Sequence, residues 1–410
     1  MASSPWMTIL EPSSSGNEWQ LSRRAFTLDG LDTLPKQCYI FLDADNYPPA
    51  DGRRERLLAH FNVPEFVANR TCFEVNGYFG CKSIYDDSGT GRVTSYTTWF
   101  RCIVKMVRKV AGDPHEDGLE YVTGEKDYKW FEMSFFTLWG FSNKSQILCV
   151  DTPPDFPCEV KRLLEKQPLP LDFRDPLVMH TSLVDQMVVL YDISVWRVRD
   201  PVRQLEKHRM RTGAIFGPIH EMSRHAIHTS EILDAAIDTL KEIQQCRTAI
   251  HQRLREGLSE TYREQAKDYA QFQISLLKNL KLRADSNEER LKNEINLAFN
   301  SLARQDNSVM KSIALLTMIF LPATFISALF STTFFNYGDD GRWLISGKLW
   351  IYWAATVPAT IIIVILWRTW LANSDAIMSS VENWLGVAKR LWKKRTAVFS
   401  RRGSRKMEEA

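Results

Sequence analysis

The chain has 410 residues, 44% of them hydrophobic and 25% charged, with a formal net charge of +3. That apolar share suffices for at least one sizeable core, and a mean hydropathy of −0.26 places most of the chain in water. Seven cysteines (Cys38, Cys72, Cys81, Cys102, Cys149, Cys158 and Cys246) form no Cys-x-x-Cys, which excludes a disulfide framework and reads as reduced, mostly buried thiols in a cytosolic domain.

Residues 1–36 are Ser-rich and lack the charged lead and apolar core of a secretory signal, so they are expected to be loosely ordered. From 37 to 174, Cys38–Leu42, Thr97–Val107, Tyr128–Phe141 and Ser145–Val150 are rich in β-branched and aromatic residues and bounded by Asp, Asn and Gly. They read as strands, and RRERLLAHF and PDFPCEVKRLLEKQ as short helices, giving an α/β domain with a mixed sheet.

Residues 175–309 read as helical. After Asp175–Pro176, Leu183, Met187, Leu190, Ile193 and Val198 recur at helical spacing. Gly213, Gly217 and Pro218 interrupt the pattern, and a second helix is predicted from about Ile219 to Arg255. Between Leu258 and Leu321 there is neither Gly nor Pro, and Thr261-x-x-Glu264 can cap the start. A single helix of that length would reach on the order of 95 Å at about 1.5 Å per residue. Along it Leu280, Ala284, Asn287, Leu291, Ile295, Ala298 and Leu302 form a narrow stripe. A stripe that thin implies a partner helix, either from this chain or from a second copy in a coiled coil.

Residues 310–371 carry two apolar runs. Ser312–Gly338 and Leu349–Trp367 hold no charged residue, and a bilayer core about 30 Å thick is crossed by roughly 20 helical residues. Ile313, Pro322 and Phe330 fall in the first span, Leu349, Pro358 and Trp367 in the second. Phe334, Phe335, Tyr337, Trp343, Trp367 and Trp370 flank the ends, where aromatic rings favour the interface. From Arg368 to Ala410 there are ten Lys or Arg against four Asp or Glu. The excess of basic residues predicts an integral membrane protein with both termini cytosolic and only the short loop outside. Within the tail, residues 372–410, Val381, Trp384, Leu385, Ala388, Leu391 and Trp392 make an apolar stripe beside basic residues, as in a helix lying on anionic lipid.

An α/β cytosolic domain, a long stalk helix and two C-terminal transmembrane helices together resemble the CorA family of divalent-cation channels. The resemblance is carried by Pro322, Thr324 and Phe325, which match the family's Pro-x-Thr-Phe segment, and by Phe334, which matches the aromatic after its signature. At the signature itself Ser331-Thr332-Thr333 stands in place of Gly-Met-Asn. DISVWRVRDPVR (Asp192–Arg203) and SNEERLKNEINLAFN (Ser286–Asn300) are similar to a divergent, largely fungal branch. The resemblance covers Asp175–Leu371; the tail beyond it has no counterpart.

It implies a homo-pentamer whose first spans line a pore, with Met310, Thr317, Leu321 and Thr324 on one helix face and Thr333 at the mouth. Magnesium or a related divalent cation would be the transported ion, with no cofactor. In the family the signature's Asn amide accepts hydrogen bonds from the water shell of magnesium, an ion that dehydrates reluctantly. Thr333 would offer a shorter hydroxyl there, compatible with a less selective mouth or with a closed one. A non-conducting, membrane-anchored scaffold or cation-responsive interaction protein is the alternative.

Other candidate groups are weaker. Asp339-Asp340 in the outer loop either concentrates cations or makes an ordinary turn. Glu221, His225 and His228 share a helix face that reads as solvated, with metal binding the lesser reading. Asp86-Asp87 and Asp43-x-Asp45 cannot be placed as regulatory cation sites, so the metal ligands are unknown. No Ser-His-Asp grouping, Gly-rich phosphate loop or zinc spacing points to an enzyme. The basic cluster sits beside a span, which argues against nucleic acid.

Overall fold

The structure, a computed structural model of the chain, describes residues 6–13, 18–43, 52–86, 93–109, 122, 126–167, 171–208, 216–254, 257–331, 335–337, 343–345, 347–348 and 350–369. Two compact units emerge, Met1–Phe299 and Asn300–Ala410.

The first unit is built on a seven-stranded mixed sheet. Its strands are β1 (Trp6–Pro12), β2 (Trp19–Ala25), β3 (Gln37–Leu42), β4 (Gly77–Tyr85), β5 (Val93–Val107), β6 (Tyr128–Gly140) and β7 (Lys144–Val150), in the order β2-β1-β3-β7-β6-β5-β4. Only β3 and β7 pair in parallel; every other pairing in this sheet is antiparallel. The two central strands are apolar on both faces, as strands covered on both sides must be. Tyr39 and Phe41 join one core, and Cys38, Ile40 and Leu42 join the other.

The second face is closed by α1 (Arg53–His60), through Leu57 and Leu58, and by Phe61 beyond it. A short α2 (Arg70–Glu74) follows, with the Asn69 side chain accepting from the Thr71 N–H at its start. The first face is covered by α3 (Phe156–Lys166), α4 (His180–His208), α5 (Phe216–Arg253) and the first part of α6 (Glu260–Phe330). Val160 and Leu164, Leu183 to Val195, Ile232 to Ile243, and Ile274 to Ala284 from these helices share one cluster with the sheet.

Two expectations differ from the structure, and one left open is narrowed. Segment 1–36 is not loosely ordered: β1 and β2 form a hairpin in which β1 also pairs β3, Met7 opposite Leu42. Met7, Ile9 and Leu10 are buried. The Ser and Gly that suggest disorder lie between these strands and conceal two short alternating runs. Residues 37–174 and 175–309 are not separate bodies, because helices of the second cover the sheet of the first and both fall in one unit. The boundary of the second unit falls after Phe299, inside α6. The stripe of α6 is settled from Leu280 to Leu291: Leu280, Ala284, Asn287 and Leu291 are buried by this chain itself, while Leu302 is exposed.

In the second unit α6 runs on to Phe330, and α7 (Trp350–Thr369) follows. Between them β8 (Phe335–Tyr337) pairs antiparallel with β9 (Trp343–Ile345), Tyr337 opposite Trp343. The expected tail helix in residues 372–410 lies outside the described residues, as do Thr332, Thr333, Phe334, Asp339, Asp340, Leu349 and Trp370.

Candidate functional site

Val309–Ala328 within α6 and Trp350–Thr369 are each long and apolar enough to cross a membrane, with mean hydropathy 1.9 and 1.8. Almost none of either segment is buried by the rest of the chain. A core helix of a soluble protein would be covered, whereas Ile313, Leu316, Phe320, Phe325, Trp350, Trp353, Ile361 and Leu366 are all exposed.

The exposure is not uniform around α6. Leu315, Met318, Pro322, Ala323 and Ile326 are half-buried and mark the covered side. On that side the Tyr352 hydroxyl of α7 donates to the Ala323 carbonyl at 3.4 Å. Pro322, having no N–H, cannot donate to the Met318 carbonyl one turn back. On α7, Thr356 is buried and Tyr352, Ala359, Thr360 and Ile363 are half-buried, at the three- and four-residue spacing of one helix face.

Met310, Thr317, Leu321 and Thr324 take the other side. At 100° per residue they fall within about 60° of one another and roughly 150° from the covered side. Met310 is 65% and Leu321 67% exposed, and both threonines are exposed. The Thr317 hydroxyl donates to the Ile313 carbonyl at 2.5 Å, and the Thr324 hydroxyl lies 3.0 Å from the Phe320 carbonyl and 2.9 Å from that of Leu321. Each hydrogen is thus spent on the helix's own backbone, which leaves the oxygen lone pairs as outward acceptors. An acceptor is what the water shell of a cation requires, since its hydrogens point away from the ion.

At the signature position Ser331 follows the last helical residue, and its hydroxyl contacts the Ala328 carbonyl at 3.4 Å. Pro358 is exposed in α7, Trp367 half-buried, and the Phe330 side chain lies outside the described residues.

The first unit holds no group of three or more His, Cys, Asp or Glu that could grip a metal among the described residues. Glu221, His225 and His228 are not a solvated face: His225 is 1% exposed. That face meets Lys105 of β5, a lysine 1% exposed that sequence pattern did not reveal. The Lys105 Nζ lies 2.8 Å from His228 Nδ1, and 4.5 and 4.8 Å from the ring centres of Tyr128 and Trp130. Burial, then the Arg224 charge, brings the Lys105 amine down to about 8; burial and Lys105 bring His225 down to about 4. At neutral pH His225 is neutral while Lys105 keeps most of its charge, and a lysine charge against that face is poor company for a metal cation. A signal was available: Arg101 and Lys105 interrupt an otherwise apolar strand at positions that point to the same face.

A second buried set sits where α5, α6 and the turn before α4 meet. Asp175 is 3.1 Å from His251 Nε2 and accepts from the Tyr262 hydroxyl at 3.0 Å. Burial would raise its carboxyl, but His251 and Arg247 outweigh that and hold it below the usual range. This is a structural tie at the start of α4, with the Leu177 N–H also donating to Asp175.

Residues 178–372 match the sequence profile of the family described as CorA-like Mg2+ transporter protein. Notoamide biosynthesis cluster protein M' of Aspergillus versicolor is 29% identical over 276 residues, covering 60% of this chain and 60% of that protein. The chain thus matches about three fifths of that relative's length. Among solved structures, full-length CmaX superposes with a TM-score of 0.52 at 14% identity, covering 89% of this chain and 96% of that one. The CorA magnesium transporter of Methanocaldococcus jannaschii gives 0.49 at 11% identity, covering 88% of this chain and 97% of that one. At such identities the likeness to CmaX concerns the fold alone. The fold, an α/β unit followed by long helices and two apolar C-terminal helices, is similar to that of CmaX.

Proposed function

We propose, from the match of residues 178–372 to the profile described as CorA-like Mg2+ transporter protein, that the chain belongs to that family, sits in a membrane and passes magnesium or a related divalent cation through a homo-oligomeric pore, a homo-pentamer by analogy with the family. The family is one of transporters, in line with the expectation of no catalysis. The observation that carries the reading is the uncovered side of α6: Met310, Thr317, Leu321 and Thr324 face away from α7, with threonine oxygens presented as acceptors. A lone helix hairpin in lipid has no use for such a side, whereas a ring of first spans would turn it toward a shared axis. Thr333 and the outer Asp339-Asp340 extend the proposed path to its mouth. Both termini face the cytosol in this reading, because the basic flank after Trp367 stays there.

A thiol placed at Thr324 tests it. In liposomes holding the Thr324→Cys protein, a charged methanethiosulfonate reagent is expected to block magnesium uptake, while the unsubstituted chain is unaffected. Labelling of that cysteine with uptake unchanged would remove the residue from the path. The replacement of Gly-Met-Asn by Ser331-Thr332-Thr333 favours a second reading, a non-conducting scaffold of the same fold. Absence of any cation uptake by the unsubstituted oligomer would select it.

A further inference from the structure

Edge strand β4 and helix α5 run side by side in the same direction along a seam fixed at both ends. At one end a Cβ added to Gly77 would lie 2.9 Å from Thr239 Oγ1 and 3.4 Å from the Ala235 methyl, so strand and helix nearly touch. At the other end Arg253 Nη1 donates to Ser83 Oγ at 3.2 Å. From Gly77 to Ser83 the strand rises about 20 Å at roughly 3.4 Å per residue. From Thr239 to Arg253 the helix rises about 21 Å at roughly 1.5 Å per residue. The two scales agree, so positions between can be matched.

Cys81 and Cys246 are such a pair. Cys81 shares the strand face of Gly77 and Ser83, and Cys246 lies two turns from Thr239 and two from Arg253 on one helix face. By the rises above they stand within about 3 Å of the same height. The two thiols are close enough for each to shift the other's ionisation. Cys81 is exposed, and Cys246 is half-buried against Tyr96, Trp139, Leu177 and Ile250.

We propose that Cys81 and Cys246 are a redox modification site, an attacking and a resolving thiol that peroxide converts into a disulfide stapling β4 to α5. The electron count closes. The Cys81 thiolate attacks one peroxide oxygen, forming an S–O bond and breaking O–O, and the departing hydroxide takes up a proton. The Cys246 sulfur then attacks the resulting sulfenic acid; the S–S bond forms, S–O breaks, and the second oxygen leaves as water with the last proton. Two thiols are oxidised and one peroxide is reduced to two waters.

Electrostatics favour this order of events. The neighbouring Cys246 thiol outweighs burial and, with the Arg253 charge, holds the Cys81 thiol below its ordinary value. The same pairing and burial push the Cys246 thiol up. Once Cys81 is a sulfenic acid its negative charge is gone and Cys246 is freed to ionise. Elsewhere burial pushes the Cys38 and Cys102 thiols up to about 12 and that of Cys149 well above its usual value, so these three stay inert.

The full chain in detergent micelles, treated with hydrogen peroxide at pH 7 and mapped by mass spectrometry, decides the matter. The expected product is a peptide pair joined through Cys81 and Cys246 and lighter by two hydrogens. Before oxidation, iodoacetamide should label Cys81 at least tenfold faster than the exposed Cys158. In Cys246→Ser the disulfide disappears and a Cys81 sulfenic acid is trapped by dimedone. Oxidised native protein with Cys81 and Cys246 unlinked overturns the proposal, and so does Cys158 reacting as fast as Cys81. The first result needs no variant, so misfolding of Cys246→Ser would not obscure it.

Discussion

The hydroxyl of Thr324 and the imidazole of His180 show how single side chains carry different parts of the account. If Thr324 offers its oxygen to a hydrated cation, Thr324→Ser keeps the acceptor and Thr324→Val keeps only the shape. Magnesium uptake into liposomes is expected to survive the first change and to fall about tenfold in the second, the worth of roughly one hydrogen bond. His180, buried in the first unit, bears on acid stability instead. Its Nε2 lies 3.1 Å from Thr98 Oγ1 and 3.2 Å from Thr137 Oγ1, with the ring near Phe100. Burial, then the charge of Arg247, brings it down to about 3. The unfolded chain therefore binds a proton there that the folded chain refuses, and stability falls as pH drops from about 6.5 toward 3. The loss is on the order of 4 kcal/mol for this residue, by linkage. Denaturant melts at stepped pH should show a shallower decline for His180→Gln across that window, and equal slopes would refute the assignment.

Elements differ in how plainly the chain announces them. Strands β3, β5, β6 and β7 were legible because strands covered on both faces read as unbroken apolar runs. Strand β4 was not, since Gly80 and the exposed Cys81 and Lys82 dilute its pattern. Gly80 is required there: an added Cβ would lie 2.3 Å from the Trp99 indole that covers it. The β1–β2 hairpin was hidden by Ser-rich connections, yet β1 sits beside the central β3. Removing residues 1–26 is expected to strip β3 of a partner and lower the melting temperature by more than 10 °C, or to abolish soluble folding of the first unit. An unchanged melt would restore the reading of a loosely ordered segment. In α6 the stripe was visible but its partner was not, because a narrow apolar line looks the same whether its own chain or a copy covers it. Leu291, fully buried, should cost about 2–4 kcal/mol on truncation to Ala in urea unfolding. A cost below about 0.5 kcal/mol, the range of surface substitutions, would mean that α6 is not packed at that point.

At the scale of the molecule, the two apolar runs and the charge-free stretch from Ser312 were the clearest signals in the chain. A helix that must satisfy its backbone in lipid is written in length and composition alone. The threonine face of α6 was legible only through resemblance, since nothing in a single apolar helix marks which side meets lipid and which meets a copy. The side taken by α7 then came from geometry, through Tyr352 and the half-buried row around Pro322. Purified full-length protein in liposomes, with a magnesium-sensitive dye inside, tests the central claim most directly. The account predicts uptake down an imposed gradient by a homo-oligomer, and its loss when Thr324 is replaced by Trp in an oligomer of the same size. A folded oligomer that admits neither magnesium nor any other divalent cation would contradict it.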